Sequence, residues 1–147
     1  MPHHHRTTQQ TAIQLLQRRQ LRLTACRISV VHNLLEQKNA ISQPELENEL
    51  QDFDRVTLYR TLHTFLEKGI IHQIYDDSGV IKYALCTEHC DHDHLHQDEH
   101  VHFKCMLCKQ ITCVDSVSIP TIQLPQGYTF VDANFLVRGI CSGCQKK

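Results

Sequence analysis

Long hydrophobic runs are missing from this 147-residue chain. None approaches the ~18 apolar residues that a membrane-spanning helix needs. The opening MPHHHRTTQQ also lacks the apolar stretch of a secretion signal, so a cytoplasmic location with no membrane partner is expected. His3, His4 and His5 are set aside as either native or a remnant of engineering. Tryptophan is absent, and charge of one sign is absent from two segments. Residues 1–35 carry five arginines (Arg6, Arg18, Arg19, Arg22, Arg27) and no acid, which suits a polyanionic partner. Residues 87–99 carry five acids (Glu88, Asp91, Asp93, Asp98, Glu99) and no Lys or Arg, which suits cations. Missing too are H-E-x-x-H and the H-x-E with P-C-x-x-C pairing, so a zinc hydrolase or deaminase is not expected.

What is abundant is metal-ligand chemistry: 8 Cys and 12 His, in a chain whose 41% hydrophobic and 21% charged residues describe an ordinary globular protein. In a reducing compartment, paired cysteines point to metal rather than disulfides. Cys105-x-x-Cys108 and Cys141-x-x-Cys144 are two such pairs, separated by thirty-two residues. A C-x-x-C knuckle puts two sulfurs on one turn, and two knuckles complete a closed tetrahedral zinc shell. Two disulfides or a thioredoxin-like redox pair are the competing readings. The compartment weighs against the first, and the second would need a C-x-x-C at a helix start.

Local patterns predict three helices. One begins at Thr24, with Ile28, Val31, Leu34 and Leu35 as its apolar stripe. The next is announced by Ser42-Gln-Pro-Glu45, a capping box with proline in the first turn, and buries Leu46 and Leu50. A third starts at Asp54, buries Leu58, Leu62, Phe65 and Leu66, and ends at Gly69. Strand-like runs Ile70–Tyr75 and Val80–Leu85 flank the turn Asp76-Asp77-Ser78-Gly79. Three helices and a hairpin make a winged helix-turn-helix, residues 1–85. Residues 86–99 read as a His/Cys-rich linker loop. Further strands are expected at His100–Lys104, Lys109–Val114 and Tyr128–Ile140, with Pro120 and Pro125 breaking the stretch between. The fold class is α+β, with a small C-terminal α/β unit (100–147) that needs a staple or a partner chain.

The third helix turns Arg55, Thr57, Tyr59, Arg60 and His63 away from its apolar side, near the end that enters the major groove in helix-turn-helix proteins. Arginine reads guanine or holds phosphate, and tyrosine packs on a thymine methyl. Arg18, Arg19 and Arg22 are expected at phosphates.

Across residues 20–145 the chain resembles the ferric uptake regulator family of metal-dependent repressors. The motifs are Val56-Thr-Leu-Tyr-Arg-Thr-Leu62, Gly69-Ile-Ile71, His100-Val-His-Phe-Lys-Cys-Met-Leu-Cys108, Gly127-Tyr128 and Gly139-Ile-Cys-Ser-Gly-Cys144. The resemblance implies a homodimer with an N-terminal winged-helix domain and a C-terminal dimerisation domain. It implies that Cys105, Cys108, Cys141 and Cys144 hold one structural zinc per subunit, and that Tyr59 and Arg60 contact double-stranded DNA at a palindromic operator.

Iron- and peroxide-sensing members build their regulatory site from histidine and carboxylates, and several of those positions differ here. Ala40 stands for a histidine, Ala84 and Cys113 for acids, and His100-Val101-His102 lacks a central Asp. The pattern is more similar to the zinc uptake regulators, whose likeness implies a regulatory zinc at His72, Cys86, His100 and His102. Three imidazoles and a thiolate suit Zn²⁺. The segment Thr87–Glu99 is richer in ligands than the family pattern. Its His89, Cys90, His92, His94 and His96 form either an additional metal site or a solvated insert. Asp115–Pro125 is short where the family carries a longer helix. The expected function is a zinc-sensing repressor of zinc-uptake genes. Alternatives are an iron- or peroxide-responsive regulator of the same family, a thiol redox sensor using Cys86, Cys90 or Cys113, and a zinc buffer.

Overall fold

The computed structural model describes residues 2–37, 39–86, 101–114, 116–117, 119, 121–131 and 133–146. Its first helix, α1 (Pro2–Arg18), lies ahead of the three expected from the sequence. It packs on the following helix through Ala12 and Leu16, both fully buried. The helix stops in a Schellman turn: Leu21 N–H bonds the Leu16 carbonyl at 3.0 Å and Gln20 N–H the Gln17 carbonyl at 3.0 Å. Gln20 takes the left-handed φ of 58° that glycine usually takes at this position.

The next three helices start where their caps predict. In α2 (Ala25–Gln37), the Thr24 hydroxyl accepts from Arg27 N–H at 3.2 Å. Two-residue β1 (Ile41–Ser42) leads into α3 (Gln43–Glu49), whose capping box is complete: Ser42 Oγ accepts from Glu45 N–H, and Glu45 accepts from Ser42 N–H. In α4 (Arg55–Glu67), Asp54 accepts from Thr57 N–H at 2.7 Å, while Gly69 at φ 69° closes the far end. Val30, Val31, Leu34, Leu46, Leu58, Leu62 and Phe65 join Ala12 and Leu16 in one core. This is the winged helix-turn-helix.

The wing strands β2 (Ile71–Ile74) and β3 (Lys82–Leu85) pair antiparallel, with β1 on the outer side of β3. A second sheet, in the order β5-β4-β6, is made by β4 (Val101–Cys105), β5 (Ile111–Val114) and β6 (Leu136–Gly139). In it β4 and β5 run antiparallel and β4 and β6 parallel, so the chain crosses from one edge of the sheet to the other between residues 114 and 136. A short α5 (Ser142–Gln145) ends the described chain.

The strand expected over Tyr128–Ile140 is corrected to the four residues of β6. Apolar residues continue upstream, but Tyr128, Phe130 and Val131 are exposed and pair with no strand among the described residues. The strands expected at Ile70–Tyr75, Val80–Leu85 and Lys109–Val114 are trimmed by one or two residues at their ends, whereas β4 runs one residue past the expected Lys104, to Cys105.

The two sheets meet at a seam. Ala40, Ile74, Ala84 and Ile111 form a second, smaller core there, and Ala40 N–H bonds the Ile111 carbonyl at 2.9 Å. The wing thus lies directly against β4 and β5.

Candidate metal centres and nucleic-acid interface

Four cysteine sulfurs gather where β4, the turn after it and the start of α5 meet. Cys105 ends β4, and the turn to Cys108 is closed by Lys109 N–H on the Cys105 carbonyl at 3.0 Å. Lys109 adopts a left-handed φ of 66° to make this turn. Cys141 caps α5 and Cys144 lies within it. Cys108 Sγ and Cys141 Sγ are 3.9 Å apart. Zinc–sulfur bonds of ~2.3 Å at a tetrahedral angle require about 3.8 Å, so the four residues fit a structural zinc site. All four sequence-derived ligands are therefore in one place.

The protons are unevenly shared in this cluster. Backbone hydrogen bonds, first from Cys141 and then from Cys108, bring the Cys105 thiol down to about 5. Cys144 is pushed up to about 12, chiefly because its own proton bonds Cys141, with desolvation adding to the effect. Backbone donors thus favour the thiolate at Cys105, while the hydrogen bond to Cys141 favours the protonated form at Cys144.

A second cluster occupies the seam. His72 comes from β2, His102 from β4 and Cys113 from β5, and their donor atoms lie within 4.8 Å of one another. Both histidines are buried. Strand register explains the meeting, because His102 pairs directly with Cys113 in the β4–β5 ladder. The wing then lays His72 over that pair, its ring stacked on His102 with centroids 5.2 Å apart.

The donor spacings are close to those a shared ion would need. His72 Nε2 is 3.2 Å from His102 Nε2 and 3.5 Å from Cys113 Sγ. For a tetrahedral zinc with bonds of ~2.0–2.1 Å to nitrogen and ~2.3 Å to sulfur, the corresponding edges are about 3.4 and 3.5 Å. Cys86 lies on the other side of the His72 ring, its sulfur 3.6 Å from Nδ1. The two ring nitrogens point in different directions, so in this arrangement Cys86 faces the nitrogen that the three-donor cluster does not use. A group in that position can fix the orientation of an imidazole.

Of the four regulatory ligands expected from the sequence, His72 and His102 share the cluster and Cys86 flanks it. His100 lies outside the described residues, as do His89, Cys90, His92, His94 and His96. The sequence marks Cys113 as a replaced acid and a candidate redox cysteine but does not include it among the regulatory ligands. Its register opposite His102 is the signal that brings it in.

The seam also contains a charge cluster that no sequence pattern announced. Lys104, two residues beyond His102 on β4, is buried and reaches Asp76 at 3.0 Å and Asp77 at 2.8 Å in the wing turn. Burial works to raise the Asp76 carboxyl, but hydrogen bonds from Ser78 and Lys104 outweigh it and hold it at about 2.

On α4, Arg55, Thr57, Tyr59, Arg60 and His63 all face solvent, as expected from its apolar stripe. Tyr59 stacks on His63 with centroids 6.1 Å apart, and Arg55 Nε lies 3.5 Å from Glu47. Arg22 is exposed and Arg19 half-buried at the α1–α2 connection.

Comparison with known proteins bears on this architecture. The model of the ferric uptake regulator family matches residues 18–127. The ferric uptake regulation protein of Neisseria meningitidis serogroup A is 30% identical over 95 residues, 62% of this chain and 60% of that protein. A zinc uptake regulator solved with zinc and DNA superposes with a TM-score of 0.67 at 21% identity, covering 97% of this chain and 95% of the other. The Vibrio cholerae ferric uptake regulator gives 0.57 at 20% identity, covering 87% and 98%. A zinc-bound manganese uptake regulator gives 0.59 at 18%, covering 89% and 98%. The chain belongs to the ferric uptake regulator family. It spans about 60% of the length of the curated relatives it matches.

Proposed function

We propose that this protein is a zinc-sensing, DNA-binding repressor, acting as a homodimer in the cytoplasm on genes for zinc uptake. The observation that carries the reading is the gathering of the His72, His102 and Cys113 donor atoms within 4.8 Å of one another at the seam, as a shared zinc ion would need. Two imidazoles and a thiolate form a borderline-soft set suited to Zn²⁺, whereas iron(II) or manganese sites favour carboxylate oxygens. Among the described residues no carboxylate joins the cluster. His100 and the ligand-rich segment 87–99 are the proposed sources of a fourth donor, with Cys86 as the alternative. A relative of the same fold was solved with zinc and DNA, which agrees with this assignment.

The ligands come from both sides of the seam. His72 on the wing and His102 and Cys113 on the second sheet would hold an ion between them, and their shared ligation would set the angle at which each α4 is presented. In a dimer, that angle determines the spacing between two recognition helices, and with it the fit to a palindromic operator. Metal and DNA affinities are then reciprocally coupled, by ~1–3 kcal/mol in typical cases. Arg55, Thr57, Tyr59 and Arg60 are the proposed groove contacts, with Arg19 and Arg22 at phosphates. The exposed apolar residues Val117, Ile122, Leu124, Tyr128, Phe130 and Val131 are the proposed dimer surface. Each subunit would hold one structural zinc at the four cysteines and one or more regulatory zinc ions.

The test is DNA binding with the four-cysteine site loaded and free zinc, iron(II) or manganese buffered in turn, using the DNA upstream of the protein's own coding sequence. Tight binding only as zinc rises is expected. Binding driven by iron or manganese would overturn the zinc assignment. Release by oxidant with no zinc response would identify a thiol sensor instead.

A further inference from the structure

A buried lysine on a β-strand needs a reason, because an ammonium is desolvated at considerable cost unless it is paired. Lys104 has one: Asp76 Oδ2 at 3.0 Å and Asp77 Oδ1 at 2.8 Å, both in the turn that ends the wing. The Lys104 side chain is 9% exposed and that of Asp76 only 2%. Two contacts from the β6 side reinforce the turn. Arg138 lies 3.7 Å from Asp77, and the Asn134 amide donates to the Tyr75 carbonyl at 3.0 Å.

The position of this cluster is what gives it consequence. Period 2 along β4 puts His102 and Lys104 on one face, about 7 Å apart. Their partners follow the same order on the wing, His72 within β2 and Asp76 just past its end. The wing is thus tied to β4 at two points in sequence along one strand. The first tie, a His72–His102 contact at 3.2 Å, is one that a bound ion would strengthen, whereas the second, Lys104 with Asp76 and Asp77, needs none. With a single tie, a flexible hairpin absorbs a small displacement by swivelling; two ties define an axis, so a change at one rotates the whole wing.

We propose that Lys104 is a positioning residue for metal response: it clamps the wing tip to β4 whether or not the metal cluster is filled, so that filling it reorients the wing and, through it, α4. This rests on the metal-sensing reading above, but the clamp itself is testable without it.

The test uses the full chain with its four-cysteine site loaded, comparing wild type with Lys104→Met, Lys104→Arg and the double variant Lys104→Met/Asp76→Asn. Amide hydrogen exchange of residues 73–82 is followed at low and at saturating free zinc, with zinc affinity measured by chelator competition. Lys104→Met leaves the Asp76 carboxylate buried without its cation, so exchange in the zinc-poor protein should speed up about tenfold or more. Lys104→Arg should restore most of the protection. The double variant removes the stranded charge and checks folding: it should remain folded and still lack the clamp. At saturating zinc, Lys104→Met should bind the metal within about threefold of wild type yet lose zinc-induced protection of the wing. That separation of affinity from response is what mere structural support would not produce.

Wing exchange unchanged by Lys104→Met overturns the clamp. Zinc affinity falling in step with protection overturns the positioning role, because Lys104 would then only be building the site. A wild type whose wing ignores zinc overturns the coupling as well. A wing that responds to zinc while DNA binding does not would overturn the repressor reading and leave the clamp standing.

Discussion

The Nε2 atoms of His72 and His102 lie 3.2 Å apart across the seam between the wing and the second sheet, while Cys113 faces one nitrogen of the His72 ring and Cys86 the other. The two cysteines therefore have different roles. With cobalt(II) in place of zinc at this site, Cys113→Ser should abolish the sulfur-to-cobalt charge-transfer absorption of the seam site and weaken binding by more than about 100-fold. Cys86→Ser should keep the absorption and weaken binding by about 10- to 100-fold, the usual effect of losing a group that orients a ligand histidine. The reverse pattern would show that the His72 ring turns over on metal binding and makes Cys86 the ligand.

Proton release tests the uneven sharing within the four-cysteine cluster. At pH 7, Cys105, at about 5, carries no proton to give up, whereas Cys144, at about 12, carries one. Zinc loading, followed by calorimetry in buffers of different ionisation enthalpy, should therefore release fewer protons at pH 7 than the four that four ordinary thiols would give up. The sign for Cys105 follows from its lowered value: above about 5 it is already a thiolate, and below it zinc must displace a proton. The dependence of log affinity on pH should accordingly steepen by one proton as pH falls through about 5. An unchanged slope would mean that Cys105 is an ordinary thiol.

Much of this architecture was legible in local sequence. Thr24, Ser42 and Asp54 announced the helix starts, because each cap is a hydrogen bond within three residues. The two C-x-x-C pairs announced the staple for a similar reason, since a knuckle is a local turn. What escaped depended on distant partners. Cys113 joins the site only because the β4–β5 register sets it opposite His102, and no local pattern fixes that register. Lys104 carries no local signal of its pairing, because Asp76 and Asp77 lie almost thirty residues away in the wing turn. Helix α1 escaped on both counts: Ala12, Leu15 and Leu16 are a thin apolar stripe among Gln and Thr, and its stop is Gln20 where the stop signal is ordinarily glycine.

That last substitution is correctable. Gln20 sits at φ 58°, a conformation costing an ordinary L-residue ~1–2 kcal/mol. Glycine adopts it freely but gives back part of the gain through its more flexible unfolded state. Gln20→Gly should stabilise the protein by about 0.5–1 kcal/mol, measured as an increase in the urea midpoint at constant m-value. The Leu21-to-Leu16 and Gln20-to-Gln17 bonds would be retained. A loss of stability would show that the Gln20 side chain contributes more to this turn than its backbone costs.

On α4, Arg55 and Arg60 both face solvent one and six positions past the Asp54 cap, but they are not equivalent. Arg55 is engaged with Glu47 at 3.5 Å and would exchange one partner for another on reaching DNA, so its net gain is small. Arg60 sits beside Tyr59, whose ring, stacked on His63, forms a flat apolar surface suited to a thymine methyl. Arg60→Ala should weaken binding to the protein's own upstream DNA by about 1–3 kcal/mol, and Arg55→Ala by less than about 1 kcal/mol. The salt dependence separates the two possible roles of Arg60. A phosphate contact lowers the slope of log K against log salt by ~0.9 and weakens all sequences alike. A guanine contact leaves the slope almost unchanged and relaxes preference at one base pair. Equal losses for both arginines would mean that the Arg55–Glu47 pair is already broken in the DNA-bound state.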